Sequence, residues 1–252
     1  SELKEAICTN LIQPHFQPQV SITDRTTIAV EALARWYSPD KQQMPPPAVF
    51  IPFAEQNGLI DLLTEKIYIQ AVQQVAIWRR SGLDLKVAIN LSMDNLHDLS
   101  LPDRLNAIAT EEDVPVDRII LEITESRLAT DHSAALEILT RLRLMGFSLS
   151  IDDFGTGYSS MELLHNIPFT ELKLDRQFVH GAHSNKSSRA ILESSISLAQ
   201  NLSMDVVAEG VEDQQDWDLM ANLGCNLIQG YFIAKPQPAD ALYPWLCRQL
   251  KP

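Results

Sequence analysis

Basic residues are the scarce charge in this chain: 20 Lys and Arg stand against 33 Asp and Glu, a formal net charge of −13. Phosphate binding usually rests on Lys and Arg, so a general binder of DNA is excluded. An anionic ligand would need positive charge supplied locally, and metal ions are the obvious source. Cysteine is scarce as well. Cys8, Cys225 and Cys247 are odd in number and scattered, which excludes a disulfide framework and a CxxC zinc site and favours a reducing compartment. No run approaches the roughly 18 apolar residues that span a bilayer. The first residues, Ser1-Glu2-Leu3-Lys4-Glu5, lack the basic-then-apolar pattern of a signal peptide and an initiator Met. The expectation is a cytoplasmic domain with no membrane contact of its own, cut from a longer chain whose other parts carry any anchor. Low-complexity segments and long linkers are also missing, so residues 1–252 read as one domain.

What is present is an ordinary globular composition, 45% hydrophobic and 21% charged, arranged as strand followed by helix. Short β-branched runs predict strands over His15–Ile22, Thr27–Trp36, Lys86–Ser92, Arg118–Thr124, Ser148–Phe154, Glu171–Asp175, Asp205–Val211 and Asn226–Ile233. Apolar residues at spacings of three and four predict helices over Leu59–Arg80, Asp131–Met145 and Lys186–Leu202. Strand–helix alternation implies a mostly parallel sheet covered by helices, and eight strands suit a closed barrel. One connection differs: only Thr23–Thr26 separates the first two strands. A parallel crossover needs a dozen or more residues, so the first strand is expected to run antiparallel to the second. The fold class is therefore α/β, a modified TIM-type (β/α)8 barrel with its first strand antiparallel.

The informative feature is how the strands end. Apolar runs lead into Glu31, Asn90, Glu122, Asp152-Asp153, Glu209 and Gln229, and Lys173 and Asp175 alternate in Leu172-Lys173-Leu174-Asp175. A single acidic residue there is ordinarily a helix cap. Six oxygen-bearing strand ends are different, because C-terminal strand ends of such barrels converge on the face that carries the active site. Alternation puts Glu31, Leu33 and Arg35 on one side of their strand. It also forbids Asp152 and Asp153 from both pointing inward, so Asp153 is expected in the loop beyond. Two like charges about 4 Å apart repel by roughly 4 kcal/mol at an effective dielectric of 20. Five clustered carboxylates must therefore hold protons or cations, and two divalent ions with Lys173 would balance them. Ligands without His or Cys favour Mg²⁺ or Mn²⁺ over zinc. His180 and His183 read as part of a solvated loop. The glycine turn Gly155-Thr156-Gly157-Tyr158-Ser159-Ser160 follows two aspartates that would repel a pyrophosphate, so it reads as a turn beside the metals.

These motifs resemble the EAL-domain family. The resemblance rests on Glu31-Ala32-Leu33 with Arg35 and Trp36, Asn90-Leu91-Ser92, Glu122-Ile123-Thr124-Glu125 and Asp152-Asp153-Phe154-Gly155-Thr156-Gly157-Tyr158-Ser159-Ser160. Lys173-Leu174-Asp175, Glu209-Gly210-Val211-Glu212 and Gln229-Gly230-Tyr231 complete it, so that it runs from about Gln17 to Pro236. It implies a bacterial phosphodiesterase that opens cyclic di-GMP to linear pGpG in a homodimer, fused to or associated with a sensory or regulatory domain. By resemblance Glu31, Asn90, Glu122 and Asp152 hold one ion, and Asp152 and Asp153 help hold a second. Lys173 fixes the nucleophilic water, and Glu209 acts at the metal centre or as general base. Gln17, Arg35, Leu33, Asp175, Gln229 and Pro236 are the implied substrate contacts; Glu125, Glu212, Gly155 and Gly157 support the site. Two-metal hydrolysis is the implied mechanism. Ca²⁺, with its looser coordination, is expected to inhibit by supporting binding better than chemistry. Two other readings stay open at this stage: a non-catalytic cyclic di-GMP receptor, and an unrelated Mg²⁺-dependent barrel enzyme acting on small carboxylates.

Overall fold

The computed structural model describes residues 2–37, 45–124, 132–155, 164 and 166–249. Eight strands close into a barrel in chain order: β1 (Ile12–Ser21), β2 (Thr27–Trp36), β3 (Lys86–Leu91), β4 (Ile119–Thr124), β5 (Ser148–Phe154), β6 (Glu171–Leu174), β7 (Asp205–Ala208) and β8 (Leu227–Ile228). The expected hairpin is present. β1 pairs antiparallel with β2, from Ile12 opposite Trp36 to Val20 opposite Thr27, and closes the barrel antiparallel against β8. Every other pairing is parallel. Ser21 N–H donates to Thr26 O at 2.9 Å to close the turn, and Arg25 takes the positive φ of 55° that so short a loop demands.

The helices that cover the barrel include α1 (Glu2–Cys8), α2 (Pro47–Gln56), α3 (Ile60–Arg80), α4 (Leu101–Glu111), α5 (His132–Met145), α6 (Arg176–Val179), α7 (Lys186–Asn201), α8 (Gln214–Leu223) and α9 (Ala239–Gln249). Helix α3 shows why they form. Leu63, Ile67, Ala71, Val72, Val75 and Trp78 recur at helical spacing and are all buried. The helix stops where Gly82 takes φ 89°, with Leu83 N–H donating to Trp78 O at 3.0 Å, and Arg79 and Arg80 occupy the last turn beside the exposed carbonyls.

Two apolar clusters result among the described residues, and they differ greatly in size. The larger lies between the barrel wall and the helices and includes Phe16, Tyr68, Trp78, Phe147 and Ile138. The smaller, Ala29, Ala88 and Ile120, fills part of the lumen. Around it the lumen is polar: Gln19, Ser150 and Lys173 are fully buried, and Glu171 is 5% exposed. Small side chains at Ala29 and Ala88 leave room for these long polar groups on neighbouring strands.

The last two strands end earlier than expected. β7 stops at Ala208 because Gly210 turns the chain at φ 66°, although Glu209 N–H still donates to Leu174 O at 3.0 Å. β8 keeps only two residues, after which Gly230 passes so close to the preceding loop that a Cβ there would sit 2.1 Å from Val211 O. Such closeness allows only glycine. It holds the loop after β7 against the loop after β8, and so Glu209 near Gln229.

Candidate active site

Alternation along the strands turns one residue from each toward the upper lumen. β2 supplies Glu31, β3 Asn90, β4 Glu122, β5 Asp152 and β6 Lys173; β8 leads into Gln229, and antiparallel β1 contributes Gln17 opposite Glu31. Lys173 is the centre of the group. Its Nζ lies 2.6 Å from Glu209 Oε1, 2.8 Å from Glu122 Oε1, 3.4 Å from Asp152 Oδ1 and 3.5 Å from Glu31 Oε2. Burial alone would favour a neutral amine, but Asp152, Glu122, Glu209 and Glu31 outweigh it and keep Lys173 charged well above its ordinary range.

One ammonium cannot neutralise five carboxylates, and three of the five are shifted toward their protonated forms. Burial and the nearby Glu31 charge push Glu122 well above the usual carboxylate range. Burial raises Glu209 to about 8, against the opposing pull of Lys173, and burial with Asp152 raises Asp153 to about 6. Glu31 goes the other way. Burial works against its ionisation, but Lys173 and the amides of Gln229 and Asn90 hold it below its ordinary value. Asn90 Nδ2 donates to Glu31 Oε1 at 2.9 Å and Gln229 Nε2 to Glu31 Oε2 at 2.5 Å.

The arrangement fits hard divalent cations. Asp152, Asp153 and Glu209 each offer a carboxylate oxygen, all within 4.8 Å of one another. Glu122 Oε2 is buried and meets no hydrogen-bond donor among the described residues, a costly state for a carboxylate unless a cation or proton accompanies it. Oxygen-only donors match Mg²⁺ or Mn²⁺.

Asp153 reaches this cluster by a route that strand alternation did not foresee. It lies within β5 and not in the loop beyond it. The pairing of β5 with β6 shifts register between Ile151 and Phe154, and Asp153 takes φ 55° with its N–H donating to Asp152 Oδ1 at 2.9 Å. A bulge inserts one extra residue, and that extra residue lets two successive aspartates face one site.

The other expected site residues spread around this centre. A cavity of about 350 Å³ on one side is lined by Glu31, Leu33, Arg35, Asn90, Asp152 and Asp153, among others, and one of about 230 Å³ on the other by Gln17, Glu31, Leu33, Glu209, Glu212 and Gln229. Leu33 thus borders both, and Arg35, half-buried, stands at the first. Gln17 Nε2 donates to Ala234 O at 3.1 Å and Gln17 Oε1 accepts from Gln229 Nε2 at 3.0 Å. Asp175 lines neither cavity; it caps α6 by accepting from Gln177 N–H at 2.8 Å. Pro236 lines neither cavity and lies beside His15 near β1. Glu212 accepts from Arg176 at 2.6 Å, and Gly155 sits at φ 93°. Glu125 and Gly157 fall outside the described residues.

Three supporting groups escaped the strand-end reading. Gln19 lies deeper in β1 and donates through Nε2 to Gln229 Oε1 at 2.9 Å. Asp216, fully buried in α8, accepts from Gly181 N–H at 3.0 Å and Glu212 N–H at 3.3 Å and lies 3.1 Å from His180 Nδ1, tying together the loops after β6 and β7. Asn95 accepts from Ser92 N–H at 2.8 Å and donates to Asp61 at 2.6 Å, anchoring the chain beyond Asn90. Period-two alternation on β1 could have pointed to Gln19. The other two depend on tertiary contacts that no local pattern carries.

Fold and rim together define a β/α-barrel protein with an acidic cluster at its rim that could hold a cation. The sequence model of the EAL domain matches residues 1–236, and the chain belongs to the EAL-domain family. It is 36% identical over 242 residues to the bifunctional diguanylate cyclase/cyclic di-GMP phosphodiesterase MucR of Pseudomonas aeruginosa, covering 96% of this chain and 35% of that protein. It is 35% identical over 251 residues to the cyclic di-GMP phosphodiesterase PdeR of Escherichia coli, covering 100% and 38%. The chain thus spans about a third of the length of these curated relatives. Among solved structures, the PaMucR phosphodiesterase in its c-di-GMP complex superposes with a TM-score of 0.90 at 36% identity, covering 96% of this chain and 98% of that one. No helix among the described residues is long and apolar enough to cross a membrane.

Proposed function

We propose that this domain is a metal-dependent phosphodiesterase that opens cyclic di-GMP to linear pGpG. One observation carries the reading: Glu31, Glu122, Asp152, Asp153 and Glu209 converge with Lys173 at the rim of the barrel, between two cavities that share Glu31, Leu33 and Asp152. Two lobes about one acidic centre suit a ligand with two nucleotide halves and a phosphodiester between them. The names of the relatives support the same substrate.

Asp152, Asp153 and Glu209 would hold one cation, and Glu31, Asn90, Glu122 and Asp152 would hold another. Bound Mg²⁺ or Mn²⁺ would polarise the phosphodiester and make water a nucleophile near neutral pH. The chain's own groups do the rest. Asn90 and Gln229 fix both oxygens of Glu31, so its carboxylate is oriented before any ligand arrives. Lys173, kept charged by its neighbours, directs an ammonium at the place where negative charge grows on the phosphoryl oxygens. Glu209, 2.6 Å from Lys173, would be ionised by a bound cation and so stand ready to receive the proton that the attacking water gives up. That water adds to phosphorus, the ester bond to the 3′ oxygen breaks, and the leaving oxygen takes up a proton from solvent while Glu209 later releases the one it received. Arg35 offers a guanidinium at the mouth of the larger cavity for a phosphate or a guanine. In the cell the domain works as one part of a longer cytoplasmic signalling protein and as a homodimer; the length of the relatives supports the first of these.

Incubation with cyclic di-GMP and Mg²⁺ or Mn²⁺, followed by chromatography, tests the proposal. Metal-dependent appearance of pGpG is expected. Binding without product would make the domain a receptor, and indifference to cyclic dinucleotides would favour another metal-dependent barrel chemistry.

A further inference from the structure

We infer that Gln19 is a positioning residue for Glu31, acting through the side-chain amide of Gln229. The inference rests on the metal site proposed above. Three glutamines form a directed chain across the junction of β1, β2 and β8. Gln19 Nε2 donates to Gln229 Oε1 at 2.9 Å; Gln229 Nε2 then donates to Gln17 Oε1 at 3.0 Å and to Glu31 Oε2 at 2.5 Å. Gln17 closes the chain by donating to Ala234 O at 3.1 Å.

Direction is the point. An amide offers an acceptor on one side and two donors on the other, and the two ends have nearly the same shape. Without a donor at Oε1, the Gln229 amide could turn over and set its oxygen against the Glu31 carboxylate, where two acceptors repel. Gln19 removes that alternative by holding Oε1. It is fully buried, so water cannot replace it as the donor. Gln19 Oε1 itself is buried without a hydrogen-bond partner among the described residues. A residue kept only for stability would be poorly chosen here, because an unpaired buried acceptor costs free energy. Gln19 is thus kept for the donor it offers.

The test uses Gln19→Met, which conserves volume and removes the donor, and Mn²⁺ binding followed by electron paramagnetic resonance in the absence of nucleotide. Loss of a group that orients a ligand typically weakens metal binding about 10- to 100-fold. Mn²⁺ affinity in Gln19→Met is expected to fall about tenfold, in a protein that still unfolds in one cooperative transition, since the change removes one unpaired acceptor at Gln19 and leaves another at Gln229 Oε1. Gln229→Met should show a loss at least as large, and adding Gln19→Met to it should change nothing further, because the two act in series. Parental Mn²⁺ affinity in Gln19→Met would overturn the inference. So would losses that add in the double variant. Turnover of cyclic di-GMP is read in parallel. Its absence in the parent would count against the proposed function and leave the comparison of Mn²⁺ affinities intact.

Discussion

Lys173→Met isolates the one permanent positive charge in the acidic cluster. The ammonium lies 2.6 Å from Glu209 and 2.8 Å from Glu122 and is fully buried. Each contact is worth about 6 kcal/mol of gross attraction at an effective dielectric of 20, and the cost of desolvating the ammonium offsets much of it. Removing one partner of a buried ion pair costs about 3–5 kcal/mol overall. Protons already neutralise part of the cluster, which places the expected loss near 3 kcal/mol, the lower end of that range. Met matches the side chain in bulk, so no cavity adds to the figure. For a chain of this size, each kcal/mol shifts the melting temperature by about 2–4 °C, so the variant should melt roughly 6–12 °C below the parent in EDTA at neutral pH. Saturating Mg²⁺ should narrow that gap, because the cation replaces the missing charge and stabilises the folded state by mass action. Calorimetry with EDTA and with Mg²⁺ gives both numbers. A variant that melts within about 2 °C of the parent in EDTA, against the size expected above, would show that Lys173 is not what balances these carboxylates.

Three further outcomes follow from the same geometry. Glu31→Ala should abolish hydrolysis in a protein that still folds, because it removes a group proposed to hold a cation and little apolar packing; retained turnover would remove Glu31 from the site. The metal-free protein should become less stable as pH rises from about 4.5 to about 8, since folding raises Glu209 to about 8 and Asp153 to about 6 and their stabilisation, complete below the unfolded values, is lost through the folded ones. Mg²⁺ should flatten that slope by favouring the ionised carboxylates, and melts in EDTA that hold steady or rise across this range would refute the assignment. Gly230→Ala should lower turnover at least tenfold, a loss of about 1.4 kcal/mol, because its Cβ would meet Val211 O at 2.1 Å and force the loops bearing Glu209 and Gln229 apart; steady-state kinetics at saturating Mg²⁺ would expose an unaffected variant.

Much of this was legible in the sequence, for identifiable reasons. Four residues between two strands are too few for a crossover, so the antiparallel first strand could be derived before any coordinates. Position at a strand end led Glu31, Asn90, Glu122 and Asp152 to be read as converging on one face, and these four do gather there with Lys173, because parallel strands in a closed barrel all end on the same side. The bulge at Asp153 was hidden, since an inserted residue breaks the very alternation used to read the strand. β8 was overestimated because Gln229-Gly230-Tyr231 continues an apolar run, while the close approach of Gly230 to Val211 ends the pairing. Gln19 and Asp216 were missed because their meaning lies in partners roughly 200 and 36 positions away. The exact separation of the first pair is 210 residues.

The polar lumen has a consequence for how such a protein can change. Cohesion resides in the shell between wall and helices, where the bulky aromatic and aliphatic groups interlock, while the small cluster of Ala29, Ala88 and Ile120 supplies apolar packing inside. Substitutions within the tube that leave the ion pairs of Lys173 in place therefore alter chemistry before they loosen the scaffold. A lineage built on this plan can lose, retune or repurpose its reactive centre and still fold, so that integrity of the barrel and survival of its activity are inherited separately.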